Sequence, residues 1–348
     1  MAPSLSAYLQ FLSLYLRIRR LNRGVELPPL PGGVLDEQTA LMRQALQVLG
    51  ETPLDQLTPA QARLDMRNNI KMLKITGGLW ERVESVRELR IPGPGGEIPA
   101  RLYLPGEETC LPMFVYFHGG GWAIGDLDTG DNVARFICKR AHCAVLSVDY
   151  RLGPDHPFPA AVDDSYAATR WAVEHAAELN GDPQRVLVGG DSAGGNLAAV
   201  VAILSRREGG PALSGQVLFY PSVDSATLDT SSYQAFGGGD YGLPTADVEW
   251  FLDQYVPNLA DRRNPLVSPL LADDLGGLPP ALVVTAEYDV LRDEGEAYAG
   301  RMMEAGVAVK LIRCNGMVHG FISMFGLLQR ATQYFDEVIV EIRRMFAA

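Results

Sequence analysis

Gly190-Asp191-Ser192-Ala193-Gly194 follows the apolar run Val186-Leu187-Val188-Gly189 and leads into the helix-forming Leu197-Ala198-Ala199-Val200. Strand, sharp turn and helix in that order are the context in which a G-x-S-x-G pattern carries meaning. Small residues flank the turn because its backbone is strained and the strand and helix touch, which leaves the serine oxygen exposed at a helix N-terminus. Alone, the five residues would read as a glycine-rich turn. Two distant features change that reading: His118-Gly119-Gly120-Gly121 upstream and His319 far downstream. In this chain order the three point to nucleophilic catalysis by a serine.

Around the elbow, short apolar runs alternate with helical stretches. The runs are Met113 to Phe117, Ala144 to Val148, Arg185 to Val188, Gly215 to Tyr220, Ala281 to Thr285 and Val307 to Ile312. Amphipathic segments such as Tyr166 to Leu179 and Ala193 to Arg207 lie between them. Strands buried on both faces and separated by helices predict a mostly parallel sheet with right-handed crossovers. Ahead of these, Val83 to Leu89 and Ala100 to Leu104 read as an antiparallel pair around the turn Pro92-Gly93-Pro94-Gly95-Gly96. Residues 1–80 read as helices separated by Pro/Gly-rich turns, with a start signal at Thr58-Pro59-Ala60-Gln61. Between Tyr220-Pro221 and Leu278-Pro279-Pro280 no core strand is evident. An insertion of that length between sheet strands is usually functional, so residues 222–277 read as a lid that roofs the site together with the N-terminal helices.

Composition bounds the function classes. The 348 residues are 47% hydrophobic and 21% charged, which fits a globular chain with a substantial core. With 30 basic and 42 acidic residues the net charge is −12, which repels phosphate backbones and anionic lipid surfaces, so nucleic acid is not an expected partner. Cys110, Cys138, Cys143 and Cys314 contain no C-x-x-C pair. Cys138 and Cys143 flank His142, but they read as the end of a buried helix entering a strand, and no further Cys/His cluster completes four ligands. The thiols suit a reducing, cytoplasmic setting. At the N-terminus, the apolar stretch Leu9, Phe11, Leu12, Leu14, Leu16 and Ile18 has its basic residues, Arg17, Arg19 and Arg20, at its far end, the reverse of signal-peptide grammar, and the run is too short to span a bilayer. An amphipathic helix packed on the body or covering a pocket is expected, without stable membrane insertion.

Ser192 needs a base, because a serine hydroxyl is a poor nucleophile near neutral pH. Five histidines make elimination practical. His175 sits on a helix face, His142 ends a helix, His156 lies in a turn and His118 opens the glycine loop. His319, in Gly316-Met317-Val318-His319-Gly320-Phe321, follows the last strand, where the order Ser, acid, His requires the base. The acid that holds the imidazole tautomer should lie after the strand Ala281 to Thr285, where Glu287, Asp289, Asp293 and Glu294 compete. Asp293 and Glu294 suit a helix first turn. Asp289, at the loop tip, is preferred, with Glu287 as its alternative. The glycine run has no following lysine, which excludes a P-loop of that form. Its N–H groups, with that of Ala193, suit an oxyanion hole.

The residues resemble the hormone-sensitive-lipase-like group of α/β-hydrolases over about residues 83–345. The resemblance rests on HGGGW (118–122), DYRLGPDHPFPAA (149–161), GGDSAGGN (189–196), EYDVLRDEGEAYA (287–299) and GMVHGF (316–321). It implies an α/β-hydrolase fold, a mostly parallel sheet flanked by helices with a helical cap, made here of residues 1–80 and the 222–277 insertion on a catalytic domain 81–348. It also implies an oxyanion hole of Gly120, Gly121 and Ala193, and it supports Asp289 as the acid. Val290 stands where the family usually has proline, and Gly153 where alanine is common. Trp122 and Asp191 are expected at the substrate, with a core position as the alternative for Trp122. The implied reaction is hydrolysis of short- to medium-chain carboxylic esters through an acyl-enzyme. No cofactor or metal is expected, the partner is a small-molecule ester, and a homodimer is compatible. An amidase or lactonase on the same triad, or a non-catalytic ligand-binding relative, are the competing readings. Receptors of that kind lose the histidine, whereas this chain keeps His319.

Overall fold

Among the described residues eight strands form one sheet in the order β1-β2-β4-β3-β5-β6-β7-β8. They are β1 (Ser85–Gly93), β2 (Gly96–Leu104), β3 (Leu111–Phe117), β4 (Ala144–Val148), β5 (Gly181–Asp191), β6 (Gly215–Phe219), β7 (Ala281–Tyr288) and β8 (Val309–Val318). The computed structural model describes residues 5–22, 26–50, 52–76 and 80–348, so residues 1–4 of the N-terminal stretch lie outside it. β1 and β2 pair antiparallel around Gly93 and Gly96, β2 runs antiparallel to β4, and every pairing from β4 to β8 is parallel. This is the mostly parallel sheet that the apolar runs predict.

Among the described residues ten helices accompany the sheet: α1 (Leu5–Leu21), α2 (Glu37–Leu49), α3 (Pro59–Thr76), α4 (Asp131–Ala141), α5 (Ala160–Glu174), α6 (Ala193–Glu208), α7 (Ser231–Phe236), α8 (Thr245–Tyr255), α9 (Arg292–Glu304) and α10 (Gln329–Ala347). The period of two along the strands sorts their side chains onto two faces. Met113, Val115 and Phe117 of β3 join Ala168 of α5, Leu197 of α6 and Tyr298 of α9 in one core. Phe114 and Tyr116 face the other way, onto Phe136 of α4 and Phe335 and Ile342 of α10.

Several ends differ from the sequence reading. β5 begins at Gly181 because Gly181 pairs with Leu111 across a register shift, and β8 runs on to Val318, which pairs with Tyr288 past a second shift. Tertiary pairing thus extends both strands beyond their apolar runs. The start signal at Thr58 is a capping box: Gln61 N–H donates to Thr58 Oγ1, and Gln61 Oε1 accepts from Thr58 N–H at 2.9 Å. Between β6 and β7 the chain forms α7, α8 and two short 3-10 turns, Leu259–Arg263 and Pro269–Leu271.

α1 is amphipathic in an unexpected sense. Leu14 and Ile18 are buried in the second core beside Leu41, Met42 and Ala45 of α2, whereas Leu9, Leu12 and Leu16 point to solvent. No helix among the described residues is long and apolar enough to cross a membrane.

Candidate active site

β5 delivers Ser192 into a backbone conformation that L-residues rarely adopt, φ 56° and ψ −119°, and α6 starts at the next residue. Such strain persists only where the surroundings hold it. Here Ser192 N–H donates to Phe219 O at 2.9 Å, and its carbonyl accepts from Asn196 N–H at 3.0 Å. Gly194 lies so near the end of β3 that a Cβ would strike the Phe117 carbonyl, which is the close approach the small residues of the elbow allow.

The hydroxyl meets a hydrogen-bonded relay. Ser192 Oγ lies 3.0 Å from His319 Nε2, and His319 Nδ1 lies 2.7 Å from Asp289 Oδ2. Asp289 is 2% exposed, and its other oxygen, Oδ1, accepts from Leu291 N–H at 3.0 Å, so the carboxylate is held in one orientation. Of the four competing acids, only Asp289 hydrogen-bonds to the imidazole. Glu287 points elsewhere, Asp293 accepts from Ser232 N–H, and Glu294 accepts from Val223 and Asp224 N–H.

Gly120 and Gly121 both take positive φ, 124° and 56°. Among the described residues nothing accepts their N–H groups or that of Ala193, the first residue of α6, and all three residues line the cavity at Ser192. The loop beneath is fixed. His118 is buried with its ring stacked on Tyr150 at 4.5 Å, and Tyr150 O–H donates to His118 O at 2.6 Å. Asp191 Oδ1 accepts from Gly119 N–H at 3.0 Å and from Tyr116 O–H at 2.5 Å. Burial pushes the Asp191 carboxyl up from its ordinary value, opposed by the Tyr116 hydrogen bond and by the nearby imidazoles.

Asp191, expected at the substrate, borders the cavity, yet one of its oxygens is committed to the glycine loop. Trp122 also borders it, but the indole is 2% exposed and stacked face to face on Tyr255 at 4.6 Å, so the core reading describes its ring.

The cavity measures about 260 Å³. Its apolar wall comes from residues the sequence reading did not single out: Leu54, Met66 and Ile70 before the sheet, and Leu243, Val248 and Phe251 between β6 and β7. The helical spacing of Met66 and Ile70, and of Val248 and Phe251, was the available signal. The described residues of α1 do not line it. A small third core joins Leu54, Ala62 and Met66 with Trp250 and Phe251 over Ala123 and Ile124, just after the oxyanion glycines. Arg63 of α3 stitches this together, donating to Ala123 O at 2.8 Å and Gly153 O at 2.7 Å and pairing with Asp155. Cys138 and Cys143 are buried, His142 is exposed beside Glu108, and no group of His, Cys, Asp and Glu able to hold a metal occurs among the described residues.

Comparison with known proteins places the chain among ester hydrolases. The family described as alpha/beta hydrolase fold matches residues 114–323. The carboxylic ester hydrolase LipN of Mycobacterium tuberculosis is 49% identical over 264 residues, 74% of this chain and 70% of that protein. An arylesterase of Saccharolobus solfataricus is 38% identical over 81% of this chain and 91% of its own length. The structure of a hyperthermophilic esterase from Pyrobaculum calidifontis superposes with a TM-score of 0.86 at 38% identity, covering 90% of this chain and 99% of that one.

Proposed function

Because this chain belongs to the hormone-sensitive-lipase-like group of the α/β-hydrolase family and is a carboxylic ester hydrolase, we propose that Ser192, His319 and Asp289 carry the reaction through an acyl-enzyme. Ser192 Oγ attacks the ester carbonyl as His319 Nε2 takes its proton. Asp289 holds the Nδ1–H tautomer and stabilises the imidazolium that forms. The tetrahedral oxyanion accepts from the N–H groups of Gly120, Gly121 and Ala193, and each such donor is worth about 3 kcal/mol of barrier. His319 then protonates the leaving alkoxide, and water repeats the sequence to release the acid. The observation that carries this reading is the continuous relay of 3.0 and 2.7 Å.

The substrate class follows from the walls. A cavity of about 260 Å³ with apolar sides suits short to medium acyl chains better than long ones. The roof is a cap drawn from the 1–80 and 222–277 segments, to which Leu54 and α3 contribute from the first and α8 from the second, supported by the third core over the oxyanion loop, while α1 packs elsewhere. Four free thiols, three of them buried, are compatible with a reducing, cytoplasmic compartment.

Ser192→Ala tests the mechanism. Hydrolysis of p-nitrophenyl acetate should vanish while the circular dichroism spectrum stays unchanged, and an organophosphate should label wild type at Ser192 only. Activity within tenfold of wild type, or an adduct elsewhere, would remove Ser192 from the mechanism. A series of p-nitrophenyl esters of rising acyl length, run beside an amide and a lactone, sets the substrate class.

A further inference from the structure

Glu287 is the penultimate residue of β7, two residues before Asp289, and takes no part in the relay, yet it is only 7% exposed. Both of its oxygens are engaged by backbone. Oε1 accepts from Gly33 N–H at 2.5 Å, and Oε2 accepts from Gly316 N–H at 2.8 Å. Gly33 lies in the non-helical segment ahead of α2, and Gly316 lies three residues before His319. Two further bonds join the same segments: Asn315 Nδ2–H donates to Leu30 O at 2.9 Å, and Asp36 N–H donates to Gly316 O at 3.2 Å. At Gly316, φ is +76° and a Cβ would come within 2.9 Å of Asp36 N and 3.1 Å of Val34 O, so residues 30–36 lie flat against it as a strap. The strap is itself pinned, since Arg330 pairs with Asp36 at 3.1 Å and donates to Pro28 O at 3.0 Å.

One carboxylate therefore ties together the strand that carries the acid, the strand that carries the base and a strap from the other end of the chain. We propose that Glu287 is a positioning residue for the reaction: through Gly316 it sets His319 against Asp289 and Ser192, with strap residues 30–36 as its third anchor. This rests on the Ser192–His319–Asp289 reading. A buried carboxylate accepting two N–H bonds is a strong and directional link. The backbone it holds is within three residues of the imidazole, where a displacement of about 1 Å costs on the order of 100-fold in rate.

The test is Glu287→Gln, which keeps shape and one acceptor but turns an amide donor toward one of the two N–H groups. For p-nitrophenyl acetate, kcat should fall roughly 10- to 100-fold, with KM within about twofold, while active-site titration with a p-nitrophenyl phosphonate still counts one site per folded chain. Asn315→Ala, which severs the neighbouring strap bond without touching the carboxylate, should lower kcat in the same direction by less. Wild-type kcat in Glu287→Gln, or a loss explained wholly by fewer titratable sites, would overturn the proposal and leave Glu287 a purely structural group. If Glu287→Gln fails to fold, Asn315→Ala decides alone: unchanged kcat overturns the proposal. Failure of the underlying mechanism looks different, because Ser192→Ala would then remain active.

Discussion

At the scale of single residues, the relay makes unequal demands on its members. Asp289→Asn keeps the volume but presents an N–H to His319 Nδ1, which favours the wrong imidazole tautomer, and kcat should drop about 10⁴-fold. That loss should exceed the loss in Glu287→Gln, and steady-state kinetics on the two variants checks the order. Spacing alone could not separate these acids. One stands near the end of β7 and the other just past it, and only the chain that returns from far away decides which one meets the imidazole. Ser192, His319 and the glycines were legible because the elbow, the oxyanion loop and the base each leave a local signature. The positions of Glu287, Tyr116 and Asp191 were not, since their partners lie across the sheet or at the opposite terminus.

Among the elements, the inner strands were located because burial on both faces leaves continuous apolar runs, although pairing carries several ends beyond them, whereas the cavity wall depends on which faces of α3 and α8 meet. Ile70 closes one side of the cavity. Ile70→Ala should move the preferred p-nitrophenyl ester to longer acyl chains, since one methylene in an apolar pocket is worth about 10- to 200-fold in specificity. kcat/KM for the acetate should change much less, and an unaltered chain-length profile would place the acyl group elsewhere. α9 carries a different consequence. Its Glu294 is buried, Oε2 has no partner among the described residues, and burial holds the carboxyl well above its ordinary value. A folded-state value raised above the unfolded one means that folding takes up a proton. The resulting stability is complete below the ordinary carboxylate range and declines as pH climbs toward the raised value. Glu294→Gln keeps the acceptor for Val223 and Asp224 N–H and removes that titration. Its Tm should equal or exceed that of wild type at pH 8, with the difference shrinking at pH 4 to 5 in thermal melts.

For the whole molecule, α1 separates packing from selectivity. Leu14 and Ile18 are buried in the core that includes α10, Phe11, Tyr15 and Leu21 pack partly buried against it, Leu9, Leu12 and Leu16 face solvent, and none of the described residues of α1 lines the cavity. Removing residues 1–21 should therefore lower stability, by about 1.5–3 kcal/mol for each buried side chain lost, and leave the ranking of acyl chains unchanged. Urea unfolding and the ester series check both halves, and a shifted ranking would show that α1 shapes the pocket after all. The strap has a temporal consequence as well. During synthesis the serine leaves the ribosome 127 residues ahead of the histidine, and the supporting strand and the Arg330 that pins the N-terminal segment also follow it. A chain that stops before β8 carries the nucleophile without its base, so such a nascent or prematurely terminated product is chemically silent, and esterase activity itself reports that synthesis has passed His319 and its supporting strand.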